Sequence, residues 1–185
     1  MKRKKNNKVW DALKQKQSDY TIKAGWFEES KYSNGAPIGG IAAVQNYGAV
    51  INQNLTEKQR KFFMALGIFL KKTTTAIHIV IPATHFWEKC KEENREKWKK
   101  LIQDTWKSVL LGNIEPDKAM EIIGRAIEGD IAKAIAAVDS PPLSPLTLES
   151  KKRSYKDQKT TGNLTKRLSA TGLMFNSVSH KVEKK

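Results

Sequence analysis

The chain has 185 residues, of which 39% are hydrophobic and 29% charged, enough for one domain with a modest core and a large polar surface. Its single cysteine, Cys90, excludes a framework of intramolecular disulfides and is expected to be buried as a small apolar residue. No apolar run approaches the roughly 18 residues of a membrane span, so we expect no contact with a membrane.

The net charge of +15 is concentrated at the two ends of the chain. Residues 1–8 carry +5 and residues 151–185 carry +8, whereas residues 9–150 carry only +2. We therefore expect a basic N-terminal arm with a short helix over residues 1–18, an α+β body over 19–150, and a basic loop and C-terminal strand over 151–185. Basic ends of this kind favour a phosphate backbone or an acidic protein surface, or they serve only to keep the protein in solution.

The first part of the body, residues 19–49, predicts a strand, an exposed tip and a short helix. Apolar residues alternate with polar ones from Tyr20 to Phe27, which indicates a strand with one buried face. Asn34 and Gly35 supply the positive φ angles of a tight turn, and Pro37 suits the first turn of a helix. Gly48 is expected to end that helix.

A loop over Asn52–Leu55 and a second helix over Glu57–Leu70 are expected next. Thr56 and Gln59 match a capping box, which predicts that the helix begins at this point. Phe62 and Phe63 lie in an aromatic stripe, and this stripe is either core or a contact with a partner. The β-branched run from Thr73 predicts a strand that ends at Pro82.

Two long helices follow, the first from an N-cap at Thr84 to about Leu111 and the second from Pro116 to about Val138. Each carries one apolar stripe, and the loop between them is short, so they should pack as an antiparallel pair on a sheet. Gly124 and Gly129 interrupt the second helix and allow either close packing or a break.

The end of the chain should return to the body. A proline-rich linker precedes a short helix over Thr147–Lys156, and a polar basic loop of the kind that a partner orders occupies residues 157–172. Leu173–Val182 is expected to form a strand beside the Tyr20–Phe27 strand. The predicted fold class is α+β, a small antiparallel or mixed sheet flanked by two long helices plus shorter helices.

The sequence lacks the usual signatures of catalysis and of metal binding. It has no GxxxxGK[ST] loop, no GxSxG elbow and no Cys/His cluster. His78 and His85 have no second ligand at a suitable spacing. We therefore expect a protein that is not an enzyme and that uses no metal or other cofactor.

Three stretches in one order resemble tailed-bacteriophage neck and tail-completion proteins, the head–tail joining and minor tail components. They are residues 22–49, which run from strand to tip to Ala-rich helix, the proline-rich residues 141–152, and residues 168–183 around Thr-Gly-Leu. The motif positions that match are Tyr32, Gly35, Pro37, Tyr47, Gly48, Pro82, Thr171, Gly172 and Ser177. One departure occurs after Pro82, where the family usually has an Arg and a second Pro and this chain has Thr84 and His85.

The resemblance implies a structural virion protein of the head–tail joint, assembled in the host cytoplasm and carried in the neck or tail. Its implied partners are itself, in a ring for which a hexamer is one candidate, and the neighbouring neck, tail-terminator or tail-tube proteins. DNA in the channel is a further candidate partner. The positions expected to contact a partner are Phe62, Phe63, Lys151, Lys152, Arg153, Lys166 and Arg167.

A nucleic-acid-binding protein that uses its basic ends is the alternative function. That reading requires aromatic residues among the basic ones so that bases can stack on them. Residues 1–8 contain none, and residues 151–172 contain only Tyr155. The sequence therefore favours a protein partner over a nucleic acid.

Overall fold

The computed structural model describes residues 19–156, 165–168 and 171–184. Within these residues the chain forms six helices and four strands, so the predicted α+β class is confirmed. The strands are β1 (Tyr20–Gly25), β2 (Ala49–Asn54), β3 (Ala76–Ile81) and β4 (Ser179–Lys184). The helices are α1 (Ile38–Tyr47), α2 (Glu57–Ala65), α3 (Phe86–Leu110), α4 (Pro116–Ala137), α5 (Pro145–Lys156) and α6 (Leu173–Asn176).

The strands form two separate antiparallel pairs rather than one sheet. β1 pairs with β4, with Ile22 opposite Val182, which confirms the predicted return of the C-terminal strand. β2 pairs with β3, with Ile51 opposite Ile79. The loop predicted over Asn52–Leu55 is therefore wrong for its first three residues. Polar residues have a low β propensity, but pairing with the apolar β3 overrides it here.

The core lies between α3 and α4, which pack antiparallel as predicted. At one end, Phe86 and Cys90 pack with Ile131 and Ile135, and α1 and α6 cover this cluster. At the other end, buried residues of α3 and α4 pack against Tyr20, Ile22 and Val182 of the β1–β4 sheet, and this second cluster is Trp106, Ala119, Met120 and Ile123. Cys90 is buried as expected, and burial raises the pKa of its thiol.

A buried acid joins the two long helices near their middle. Asp130 is 5% exposed, and its carboxylate accepts hydrogen bonds from Lys97 Nζ at 2.5 Å and from Trp98 Nε1 at 2.8 Å. Burial raises the pKa of Asp130, but these hydrogen bonds lower it by more than burial raises it. The net pKa therefore lies below its ordinary value. Because the charged carboxylate on α4 hydrogen-bonds two side chains of α3, it fixes which turns of the two helices face each other.

The start of α3 differs from the sequence prediction, which placed the N-cap at Thr84. The helix begins at Phe86, and the Thr84 hydroxyl instead donates to the Gln45 carbonyl at 2.9 Å. The capping acceptor comes from another helix, because the Asn46 side-chain oxygen accepts from the Trp87 backbone N–H at 2.9 Å. A tertiary contact thus replaces the local cap.

Two other boundaries also differ. The strand predicted over Leu173–Val182 begins with the short helix α6, because Met174 turns into the core and its carbonyl accepts from Trp26 Nε1 at 2.8 Å. The helix predicted over Glu57–Leu70 ends at Ala65, before Gly67 with its φ of 78°. The short helix predicted within residues 1–18 and most of the basic loop predicted over 157–172 lie outside the described residues.

His180 of β4 forms hydrogen bonds with two glutamates of α4 and so holds the C-terminal strand against that helix. Its Nδ1 lies 2.6 Å from Glu128 Oε2 and its Nε2 lies 3.0 Å from Glu121 Oε2. Gly124 lies one turn from each glutamate, and a Cβ there would be 2.2 Å from His180 Cδ2. Close packing at Gly124, one of the two alternatives left open by the sequence, is therefore the one observed.

We predict that Gly124→Ala lowers the free energy of unfolding by about 1–3 kcal/mol, because the new methyl group must displace the His180 ring. Gly129→Ala is the matched control on the same helix, since a Cβ there meets nothing within 4 Å. The control should stabilise the protein by about 0.4–1 kcal/mol, because alanine lowers the conformational entropy of the unfolded chain. Chemical denaturation measures both, and equal effects would contradict this packing.

A pH dependence follows from the same contact. Burial lowers the pKa of His180, but hydrogen bonds to Glu128 and Glu121 raise it more, so the net pKa lies above the ordinary 6.5. The stabilisation is therefore fully present below pH 6.5 and is lost as the pH rises through the raised pKa. Denaturation of His180→Gln should show a larger destabilisation at about pH 6 than at about pH 9, and a constant difference would contradict the charged pair.

Candidate functional site

Residues 49–81 form a projection that leaves the body between α1 and α3. It contains β2, α2 and β3, and the two strands pack chiefly on each other, with only sparse contacts to other helices and strands. No residue of α2 is buried. The described chain therefore contains a long segment that contributes little to the main core.

Within the described residues, neither face of the β2–β3 sheet is fully covered. Val50 and Val80 lie opposite each other on one face and are 61% and 60% exposed. Ile51 and Ile79 share the other face and are 39% and 36% exposed. A two-stranded sheet has two open edges and is marginally stable alone, so apolar residues on both faces make this sheet a candidate contact surface.

Local hydrogen bonds hold the outer end of the projection together, but its surface remains apolar. Thr56 and Gln59 form the predicted capping box, and Arg60 ties the following turn by donating to the Thr74 carbonyl at 2.6 Å. Phe62 is 44% exposed and Phe63 is half-buried against it, with ring centroids 6.0 Å apart. Phe69 is 80% exposed. These rings belong to no buried cluster, which supports the contact alternative.

A groove of about 740 Å³ lies beside the base of the projection. One wall is the inner end of β3 with Pro82, and the others are α1, the proline-rich residues 142–147 and the segment before α6. Most of the lining is apolar, and it includes Tyr32, Ile41, Leu143 and Met174. Parts of all three stretches that resemble the phage proteins thus meet at one place.

Two of the predicted contact residues lie in this groove. Arg167 is 7% exposed, donates from Nη1 to the Pro82 carbonyl at 3.3 Å, and has a buried Nε with no hydrogen-bond partner among the described residues. Lys151 is half-buried and donates to the Lys166 carbonyl at 2.5 Å. Burial lowers the pKa of both groups, and the neighbouring Arg167 charge lowers that of Lys151 further.

The other basic members of the predicted set do not enter the groove. Lys152 is exposed and pairs with Glu149 at 2.7 Å, one turn earlier on α5. Arg153 is exposed. Lys166 is exposed and donates to the Ala136 carbonyl at 3.2 Å. The structure therefore separates the predicted contact residues into an aromatic group on the projection, a cationic pair in the groove, and a solvated remainder.

The motif positions of the first stretch shape the backbone near the groove. Tyr32 is half-buried, and its carbonyl accepts from the Gly35 N–H at 2.8 Å across a turn in which Gly35 has a φ of 83°. Pro37 precedes α1 as its cap residue. Tyr47 is 65% exposed at the end of α1.

The motif positions of the last stretch set up α6. Gly172 is buried with a φ of 69°, and the Thr171 hydroxyl oxygen accepts from the Leu173 N–H at 3.3 Å. The Ser177 hydroxyl donates to the Met174 carbonyl at 3.3 Å. These residues therefore position Met174 in the core beside the groove, where Thr171 also contributes to the lining.

No family model, curated protein or solved structure matches this chain. Among residues 19–156, 165–168 and 171–184, no group of three or more His, Cys, Asp or Glu side chains could hold a metal ion. No helix of that same part of the chain is long and apolar enough to cross a membrane.

Sequence reasoning missed the roles of Asn46, His180 and β2. An asparagine near the end of one helix gives no sequence signal that it will cap a different helix. A histidine in a strand likewise gives no signal that it will contact two glutamates on α4. The apolar residues on both faces of β3 were the available signal for an uncovered sheet, since a half-buried strand alternates.

The base of the projection depends on Gly48, and Gly48→Ala should be strongly destabilising. Gly48 has a φ of 76°, and a Cβ there would lie 2.8 Å from the Ile81 carbonyl oxygen. Gly67→Ala is the matched control, because Gly67 has a φ of 78° but nothing within 4 Å of an added Cβ.

The control should cost about 1–2 kcal/mol from the left-handed backbone alone, and Gly48→Ala should cost at least about 1 kcal/mol more. Thermal or chemical denaturation measures the difference. Equal costs would show that the close approach of β3 does not constrain position 48.

Proposed function

We propose that this protein is a non-enzymatic structural component of the tailed-phage head–tail joint, a neck or tail-completion protein that associates with itself. The proposal rests on the projection, whose sheet exposes apolar residues on both faces and whose helix has no buried residue. Burial of such apolar surface between copies is the usual driving force for assembly. The resemblance of three stretches to phage neck proteins supplies the biological setting.

A ring is the form of association that fits the proposal. Closed rings form when one surface of a subunit binds a different surface of the next, and repeated rotation brings the last copy back to the first. A projection that leaves a separately packed body is suited to reach a neighbouring copy. The neighbours above and below such a ring would be neck, tail-terminator or tail-tube proteins, in the virion and during assembly in the host cytoplasm.

The described basic residues favour a protein partner over the alternative, a nucleic acid. Lys151, Lys166 and Arg167 donate to main-chain carbonyls, and Lys152 pairs with Glu149. A phosphate backbone is bound by an open row of cations with aromatic rings between them. Within the described residues these groups instead serve the packing of α5 and of the groove.

We predict that Val50→Ser combined with Val80→Ser weakens self-association by about 30-fold, since about 1 kcal/mol of apolar burial is lost at each position. Because both side chains are more than half exposed, the melting temperature of the monomer should change little. Leu111→Ser is the matched control, an equally exposed apolar residue outside the projection.

Size-exclusion chromatography with light scattering, on the full chain over a range of concentrations, measures the effect. The proposal expects concentration-dependent oligomers for the native chain and the control, and a shift towards monomer for the double variant. A native chain that stays monomeric, or oligomers that survive the double substitution, would contradict it. A complex with duplex DNA that weakens steeply with salt would favour the nucleic-acid function.

A further inference from the structure

The groove has a free strand edge along one wall. In the described part of the chain β3 pairs with β2 alone, so its other edge has no strand partner. Neighbouring residues of a strand point to opposite faces, and Ile79, Val80 and Ile81 therefore line one cavity together along the strand edge. Such an edge presents main-chain N–H and C=O groups to an extended chain.

The same groove has two cations, Lys151 and Arg167, with no acid beside them among the described residues. Only burial shifts the pKa of Arg167, and burial and Arg167 shift that of Lys151, so no described carboxylate acts on either group. Nη1 of Arg167 donates to the Pro82 carbonyl, so the guanidinium edge formed by Nε and Nη2 remains for a ligand. That edge matches the two oxygens of a carboxylate.

We propose that this groove binds an extended segment of another protein that carries a carboxylate, with the segment beside β3 and the carboxylate between Lys151 and Arg167. Entry of the anion relieves the repulsion between the two cations and offers an acceptor to the Arg167 donors. Nη2 meets the carboxylate first, and Nε joins it when the side chain turns towards the groove. The apolar walls hold the residues that flank the acid.

The size and lining of the groove favour a peptide over a polyanion. Its volume of about 740 Å³ lies within the range of binding clefts, and its lining is mostly apolar. A nucleic acid presents a charge at every nucleotide and needs more than one cationic pair. The inference does not rest on the proposed self-association. Val80 belongs to both surfaces, so the variants separate the two tests: Lys151→Gln and Arg167→Gln leave the valines of the projection in place.

The test uses two yeast-displayed libraries of peptides about nine residues long, with a central Glu in one and a central Gln in the other and with Asp and Glu left out of the random positions. Both are sorted against the full native chain. We expect enrichment from the Glu library only. Enriched peptides should bind Arg167→Gln and Lys151→Gln at least about 10-fold more weakly, as expected on loss of a charge-assisted hydrogen bond.

Lys152→Gln is the control, because Lys152 adjoins Lys151 but pairs with Glu149 away from the groove. It should leave binding unchanged. Thermal unfolding of each variant verifies its fold. If Arg167→Gln does not fold, Lys151→Gln still tests the proposal, because Lys151 is only half-buried. Failure of the Glu library to enrich, or equal binding to Lys151→Gln, would overturn the proposal. If Lys151→Gln weakens the native oligomer as well as peptide binding, the occupant is a second copy of this chain, which would overturn capture of another protein.

Discussion

The junction between α1 and α3 is the constraint on which the rest of the structure depends. The Asn46 side chain is 2% exposed, accepts from the first turn of α3 and donates to Glu88 at 2.8 Å. The two strands of the projection leave on either side of this junction, β2 after Gly48 and β3 before Pro82. One buried amide thus fixes the start of the longest helix and the position from which the projection emerges.

The core that stabilises the fold and the projection proposed to bind a partner lie in different parts of the chain. The paired helices α3 and α4, joined by Asp130 and covered by the β1–β4 sheet, bury the clusters that stabilise the fold. The projection lies outside these clusters, whereas the groove borders the first of them through Met174. Both expose apolar residues, and no described carboxylate acts on the two cations of the groove. Because the projection contributes little to the core, its surface can change with little loss of stability.

The sequence predicts the local features well, because the cause of each lies within a few residues. The capping box at Thr56, the end of α1 at Gly48 and the antiparallel helices all follow from spacing and turn chemistry. The failures arise where distant residues decide: Asn46 takes the capping role expected of Thr84, and β3 draws the polar residues of β2 into a strand. Likewise, Lys151 and Arg167 stand out only as basic residues until the fold brings them to one groove.

The most direct measurement is hydrogen exchange of the full chain at low and at high protein concentration. If the projection is covered by another copy, amides of residues 49–81 should become protected as the concentration rises, while those of α3 and α4 stay protected throughout. Oligomers whose amides at 49–81 exchange as fast as those of the monomer would contradict this role for the projection.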